Sequence, residues 1–166
     1  MKAEPQKEHQ WLQKLVGTWS FEGECLMGPD QPPMKSSGSE TVRSLGGLWT
    51  VGEGEGTSPC PDGSAVKTIM TLGFDPQKKR FVGTFIVSMM THLWPYEGTL
   101  DETAKVLTLD SEGPSFAGDG KLVKYQDIFE FKSDDHRVLR SRMLGDDGKW
   151  YEFMTAHYRR RQRQAA

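Results

Sequence analysis

The chain is predicted to be an all-β protein, an up-and-down antiparallel β-barrel of about ten strands behind one short N-terminal helix. Three observations predict it. Helical periodicity occurs only in residues 4–16, where Trp11, Leu12, Leu15 and Val16 form one apolar stripe and Gly17 supplies a helix stop. After Gly17 short alternating segments follow one another to the C-terminal tail. Turn-forming residues separate them, among them Gly46-Gly47, Asp75-Pro76, Asp134-Asp135 and Asp146-Asp147-Gly148.

In order, strands are expected over residues 18–26, 37–45, 48–56, 64–74, 80–90, 93–100, 105–111, 122–132, 137–144 and 150–158. The first carries Trp19, Phe21, Gly23 and Cys25 on one parity. The second and third form a hairpin about a two-residue Gly46-Gly47 turn. The third sets Gly52, Gly54 and Gly56 on one face and Glu53 and Glu55 on the other. Its G-x-G-x-G spacing is no phosphate loop, since no helix follows. Residues 80–90 are apolar on both parities, which predicts cover on both faces. The length of 166 residues predicts one domain, divided into helix (4–16), barrel (17–159) and basic tail (160–166). A barrel of this size is wide enough for one small ligand.

Composition narrows the function classes. A formal net charge of −2 argues against nucleic-acid binding, and the Arg159-Arg160-Arg161-Gln162-Arg163 run reads as a solvated tail. No apolar run reaches the ~20 residues a membrane span needs. The N-terminus lacks a secretory signal pattern, and two cysteines make no disulfide framework, so a cytoplasmic location is expected. Cys60, between Pro59 and Pro61, reads as loop filler. The apolar helix face with Trp11, and the edge where barrel strands meet imperfectly, could serve a homodimer.

Gly17-Thr18-Trp19, opening the first strand after a short helix, resembles the G-x-W motif of the lipocalin superfamily. The resemblance implies an arginine of the last strand packed over this tryptophan, and Arg159 is placed to match. The whole chain is also similar to an uncharacterised family of bacterial lipocalin-like proteins classed as a domain of unknown function. Thr41–Trp49 (TVRSLGGLW), Ser88–Trp94 (SMMTHLW), Thr108–Phe116 (TLDSEGPSF) and Phe153–Arg159 (FMTAHYR) carry that likeness. It implies a calycin-type barrel and no established activity or cofactor.

The residues around the 80–100 hairpin carry the functional expectation. His92 sits in its turn beside Met89, Met90 and Trp94, where it could bind a polar group, act as a base or ligate a metal. The plainer alternative is a histidine bonded to its own turn. Asp110 and Glu112 share a parity beside Glu97 on the neighbouring strand, and two such carboxylates in one mouth could do acid–base work with His92. Rim groups paired with Arg43, Arg140 or Arg142 are the ordinary reading of those acids. His157 shares a parity with Tyr151, Phe153, Thr155 and Arg159; if that parity points inward, it faces the interior. The nitrobindins, another lipocalin-like group, carry a haem on a histidine near the C-terminus, which puts haem at His157 among the alternatives. Their glycine-rich first-strand motif is only partly present in Gly17–Gly23 (GTWSFEG). No H-x-H, C-x-x-C or G-x-S-x-G pattern occurs, so metal and nucleophile signals are weak.

The function expected is the binding of a small apolar or amphipathic molecule inside the barrel. Met70, Phe85, Met89, Trp94 and Phe129 would line it, and His92, Glu97, Asp110, Glu112 and His157 would supply polar contacts.

Overall fold

A computed structural model describes residues 1–57, 62 and 64–161, so the expectations for Cys60 and for the tail from Gln162 onward lie outside the described residues. Residues 7–12 form α1 (Lys7–Leu12), continued by a 3₁₀ turn, Gln13–Leu15. Ten strands follow: β1 Gly17–Cys25, β2 Met34–Leu45, β3 Trp49–Thr57, β4 Ala65–Asp75, β5 Arg80–Val87, β6 Trp94–Leu100, β7 Val106–Pro114, β8 Leu122–Ser133, β9 His136–Leu144 and β10 Trp150–Arg160. Each pairs antiparallel with its sequence neighbours, and β1 pairs with β10 to close the barrel.

Several boundaries differ from expectation: the helix begins only at Lys7, and β2 begins three residues early, at Met34. The β2–β3 turn holds three residues, because Leu45 pairs with Trp49; Gly46 and Gly47 both take positive φ. β5 stops at Val87, and β7 runs on to Pro114. The outer face of β5 also meets solvent: Ile86 is 43% exposed, so its apolar outer parity is not covered as expected.

The strands fill only one end of their own interior. At the end closed by α1, Leu72, Phe81, Leu107, Leu109, Phe129 and Phe131 pack with Trp11, Leu12 and Trp19. The Trp11 indole donates to Ala104 O at 2.7 Å and meets Phe81 and Phe131 edge-on. The helix face read as a dimer surface is therefore spent within the chain, and the closed β1–β10 seam leaves no open edge there.

Gly17 makes this end possible. It takes φ +140°, and Arg160 Nη1 lies 2.4 Å from where a Cβ would stand. The Arg160 guanidinium donates to Val16 O (2.6 Å) and Lys14 O (2.8 Å) and lies 4.3 Å over the Trp19 ring. The arginine over the tryptophan is thus Arg160; Arg159, expected there, is exposed and pairs across the sheet with Ser20.

Candidate functional site

Toward the open end the inward residues change from a packed layer to the walls of a cavity of about 310 Å³. Met70, Phe85, Trp94, Phe116, Phe153 and Met154 give it an apolar upper wall. Inward glycines let aromatic rings approach the strands closely. At Gly113 an added Cβ would fall 2.1 Å from Trp94, and at Gly56 2.7 Å from Phe21. Trp94, Phe116 and Phe153 then form an edge-to-face chain through Tyr125, with ring centroids 5.0–6.1 Å apart.

Polar groups form the floor. Asp127 on β8 accepts hydrogen bonds from the Tyr96 phenol and the Ser141 hydroxyl, one on each carboxylate oxygen. It keeps some accessible surface although it lies deep in the barrel, because that surface belongs to the cavity. Burial pushes its carboxyl above the usual carboxylate range, with the Ser141 and Tyr96 hydrogen bonds opposing. Burial and the neighbouring Asp127 charge push the Tyr96 phenol well up as well.

Beside this group Arg137, 1% exposed, forms an ion pair with Glu40. Its guanidinium lies 4.0 Å from the Tyr158 ring centroid and 4.7 Å from that of Trp19. Burial, then the Glu40 charge, raises the Tyr158 phenol. Ser111 Oγ, on the cavity wall, is buried without a hydrogen-bond partner among the described residues. Burial also raises the Cys25 thiol, which lies on the same wall.

The structure brings together four of the residues the sequence pointed to: Met70, Phe85, Trp94 and Phe129 all line the cavity. Met89 is 51% exposed, and its neighbour Met90 takes the lining position. His92 stands beside Trp94, ring centroids 4.8 Å apart, with Nε2 3.0 Å from Glu112 O. It is bonded to the backbone of β7, away from any carboxylate and from its own turn. Glu97 lies on the outer wall and pairs with Lys78 at 2.6 Å. Asp110 is exposed and accepts from Gln126 Nε2 at 2.7 Å. Glu112 is exposed, and its carbonyl alone reaches His92. The two acids do share a parity, but it is the outward one; Leu109, Ser111 and Gly113 face in.

His157 also faces out. A bulge between Glu152 and Met154 inserts Phe153 and shifts the phase of β10 by one residue. Phe153 and Met154 both reach the cavity, and beyond them Ala156, Tyr158 and Arg160 turn inward. His157 Nδ1 instead lies 3.0 Å from His136 Nε2 on the outer wall, across from Glu22. That polar surface offers no apolar cradle for a haem. Burial, then the Arg159 charge, lowers His136. Among the described residues no three His, Cys, Asp or Glu side chains converge on a point that could hold a metal.

The sequence matches, over residues 4–160, the family model described as protein of unknown function (DUF1579). The chain belongs to that family. No curated protein matches it. The DUF1579 chain is similar in fold to Rv2717c from M. tuberculosis (TM-score 0.66, 14% identity, covering 96% of this chain and 100% of that one). Shallower likenesses are to EF1p2_mFAP2b bound to DFHBI (TM-score 0.49, 16% identity, 92% and 98% covered). A de novo designed fluorescence-activating β-barrel follows (TM-score 0.48, 15% identity, 90% and 95% covered).

Sequence reasoning missed Glu40, Tyr96, Ser111, Asp127, Arg137, Ser141 and Tyr158 in this DUF1579 barrel. One signal was present: β8 reads Tyr125, Asp127, Phe129, Phe131 on a single parity, so an acid stands where an apolar residue belongs. The others carried none, since a serine or tyrosine on a strand fits either face and a lone glutamate or arginine reads as an outward residue.

Proposed function

We propose that the protein binds one small, mainly apolar molecule in the barrel lumen. The observation that carries this reading is the cavity of about 310 Å³ above a fully packed layer. Its volume lies at the lower end of the ~300–1,000 Å³ typical of small-molecule sites. Burying the ligand's apolar area, worth roughly 25 cal/mol per Å², supplies affinity, and the polar floor orients it. Met89, Leu93, Phe116 and Leu122 are exposed about the open end, an apolar rim suited to the passage of such a molecule.

The test is uptake of N-phenyl-1-naphthylamine, an uncharged aromatic dye that brightens in apolar surroundings. Saturable binding at one dye per chain is expected. Val66→Trp, placing an indole in the cavity at the open-end start of β4, should abolish uptake without lowering the melting temperature by more than a few degrees. Equal dye uptake by the filled variant would refute lumen binding.

The acid–base reading of His92 finds no support in the geometry, since neither Asp110 nor Glu112 turns a carboxylate to its ring.

A further inference from the structure

The charged groups of the lumen are all of one sign. Glu40 and Asp127 turn inward among the described lining residues, Glu55 borders the cavity from the outward parity of β3, and no lysine, arginine or histidine lines it. Their situations differ. Glu55 is exposed, two residues from the open end of β3. The charge of Glu40 is met by Arg137, whose guanidinium is enclosed between the Trp19, Phe129 and Tyr158 rings and turns no surface to the cavity. Asp127 has only the neutral hydroxyls of Tyr96 and Ser141, and no cation among the described residues pairs with it.

Ser111 completes the geometry. Leu109 pairs with Asp127 and Ser111 with Tyr125 across β7 and β8, so Ser111 and Asp127 are diagonal neighbours on the inner face. The Ser111 hydroxyl is buried on the cavity wall and has no partner among the described residues.

From this arrangement we infer that the lumen selects a lipophilic amine, with its ammonium group on Asp127 and Ser111 and its apolar body among Met70, Phe85, Trp94 and Phe153. The inference rests on the lumen-binding reading and adds the sign of the ligand. A buried carboxylate with neutral donors alone is costly, and burial holds this one above the ordinary carboxylate range. An entering ammonium ion offsets that cost and supplies donors to the free lone pairs of Asp127 and to Ser111 Oγ. An entering carboxylate would meet like charge and no cation among the described lining residues. Fatty acids are thereby disfavoured.

Displacement of bound N-phenyl-1-naphthylamine by decylamine, decanol and decanoate at pH 7 separates the outcomes. The three share one chain and differ in charge, the amine being protonated and the acid ionised at that pH. Decylamine should displace the dye at a concentration about tenfold below decanol, the scale of one charge-assisted hydrogen bond, and decanoate should be the weakest. In Asp127→Asn the preference of decylamine over decanol should vanish, and Ser111→Ala should reduce it. Equal competition by decanoate and decylamine, or an unchanged preference in folded Asp127→Asn, would overturn the inference and leave lumen binding standing. Absence of dye uptake by the unmodified protein would overturn lumen binding itself. The wild-type series needs no variant to fold.

Discussion

At the scale of single residues, the interior holds two acids in opposite circumstances. Glu40 has a full partner in Arg137, and removing one member of a buried pair leaves an uncompensated charge. Glu40→Gln should therefore cost about 3 kcal/mol, read as a shift in the urea midpoint. A loss within ~0.5 kcal/mol would mean that the aromatic rings alone hold the guanidinium. Asp127 has a raised folded-state carboxyl, so the folded chain keeps its proton at pH values where the unfolded chain has released it. Stability then declines as pH rises from the ordinary carboxylate range toward the folded value. Asp127→Asn should flatten this decline, so the wild-type-minus-variant stability falls as pH rises above the ordinary carboxylate range. Parallel profiles would show that Asp127 does not titrate there.

At the scale of elements, one-residue phase decides which side chains meet. The Phe153 bulge turns His157 and Arg159 outward and Tyr158 and Arg160 inward. Alternation could be read from the β10 sequence, but the bulge could not, since the extra residue is defined only against β9. On β7 the reading erred by choosing the acids of the wrong face: Asp110 and Glu112 advertise chemistry, while Ser111 between them has the lumen. The entry of β1 is specified more locally. Gly17→Ala would both strain a positive-φ backbone and strike Arg160. It should cost roughly 1–3 kcal/mol, the range for a strained φ/ψ position. Gly148→Ala, also at positive φ but with nothing within 4 Å of the added Cβ, should cost less in the same thermal melts. Equal losses would assign the whole effect at Gly17 to backbone strain.

At the scale of the molecule, the barrel is a vessel with a plug. Leu12 is wholly buried against the packed layer, so Leu12→Ala should cost about 2–5 kcal/mol in denaturant unfolding, the range for truncating a core leucine. The cavity lies at the opposite end, and dye affinity per folded molecule should be retained in that variant. Loss of binding at full folding would show that the two ends communicate.

The fold was legible because it follows from local terms: an amphipathic helix before a glycine, then alternating segments cut by turn residues, each with a neighbour in sequence to pair with. The apolar half of the candidate site was legible for the same reason, since Met70, Phe85, Trp94 and Phe129 are large apolar residues on strands. Closure decided the rest. Which parity faces the lumen depends on register around the whole ring, and whether a polar side chain is stranded or paired depends on residues as distant as Glu40 and Arg137. The amino-acid order thus determined a barrel; only its closing placed Asp127 inside with neutral partners and left His92, Asp110 and His157 around its outside.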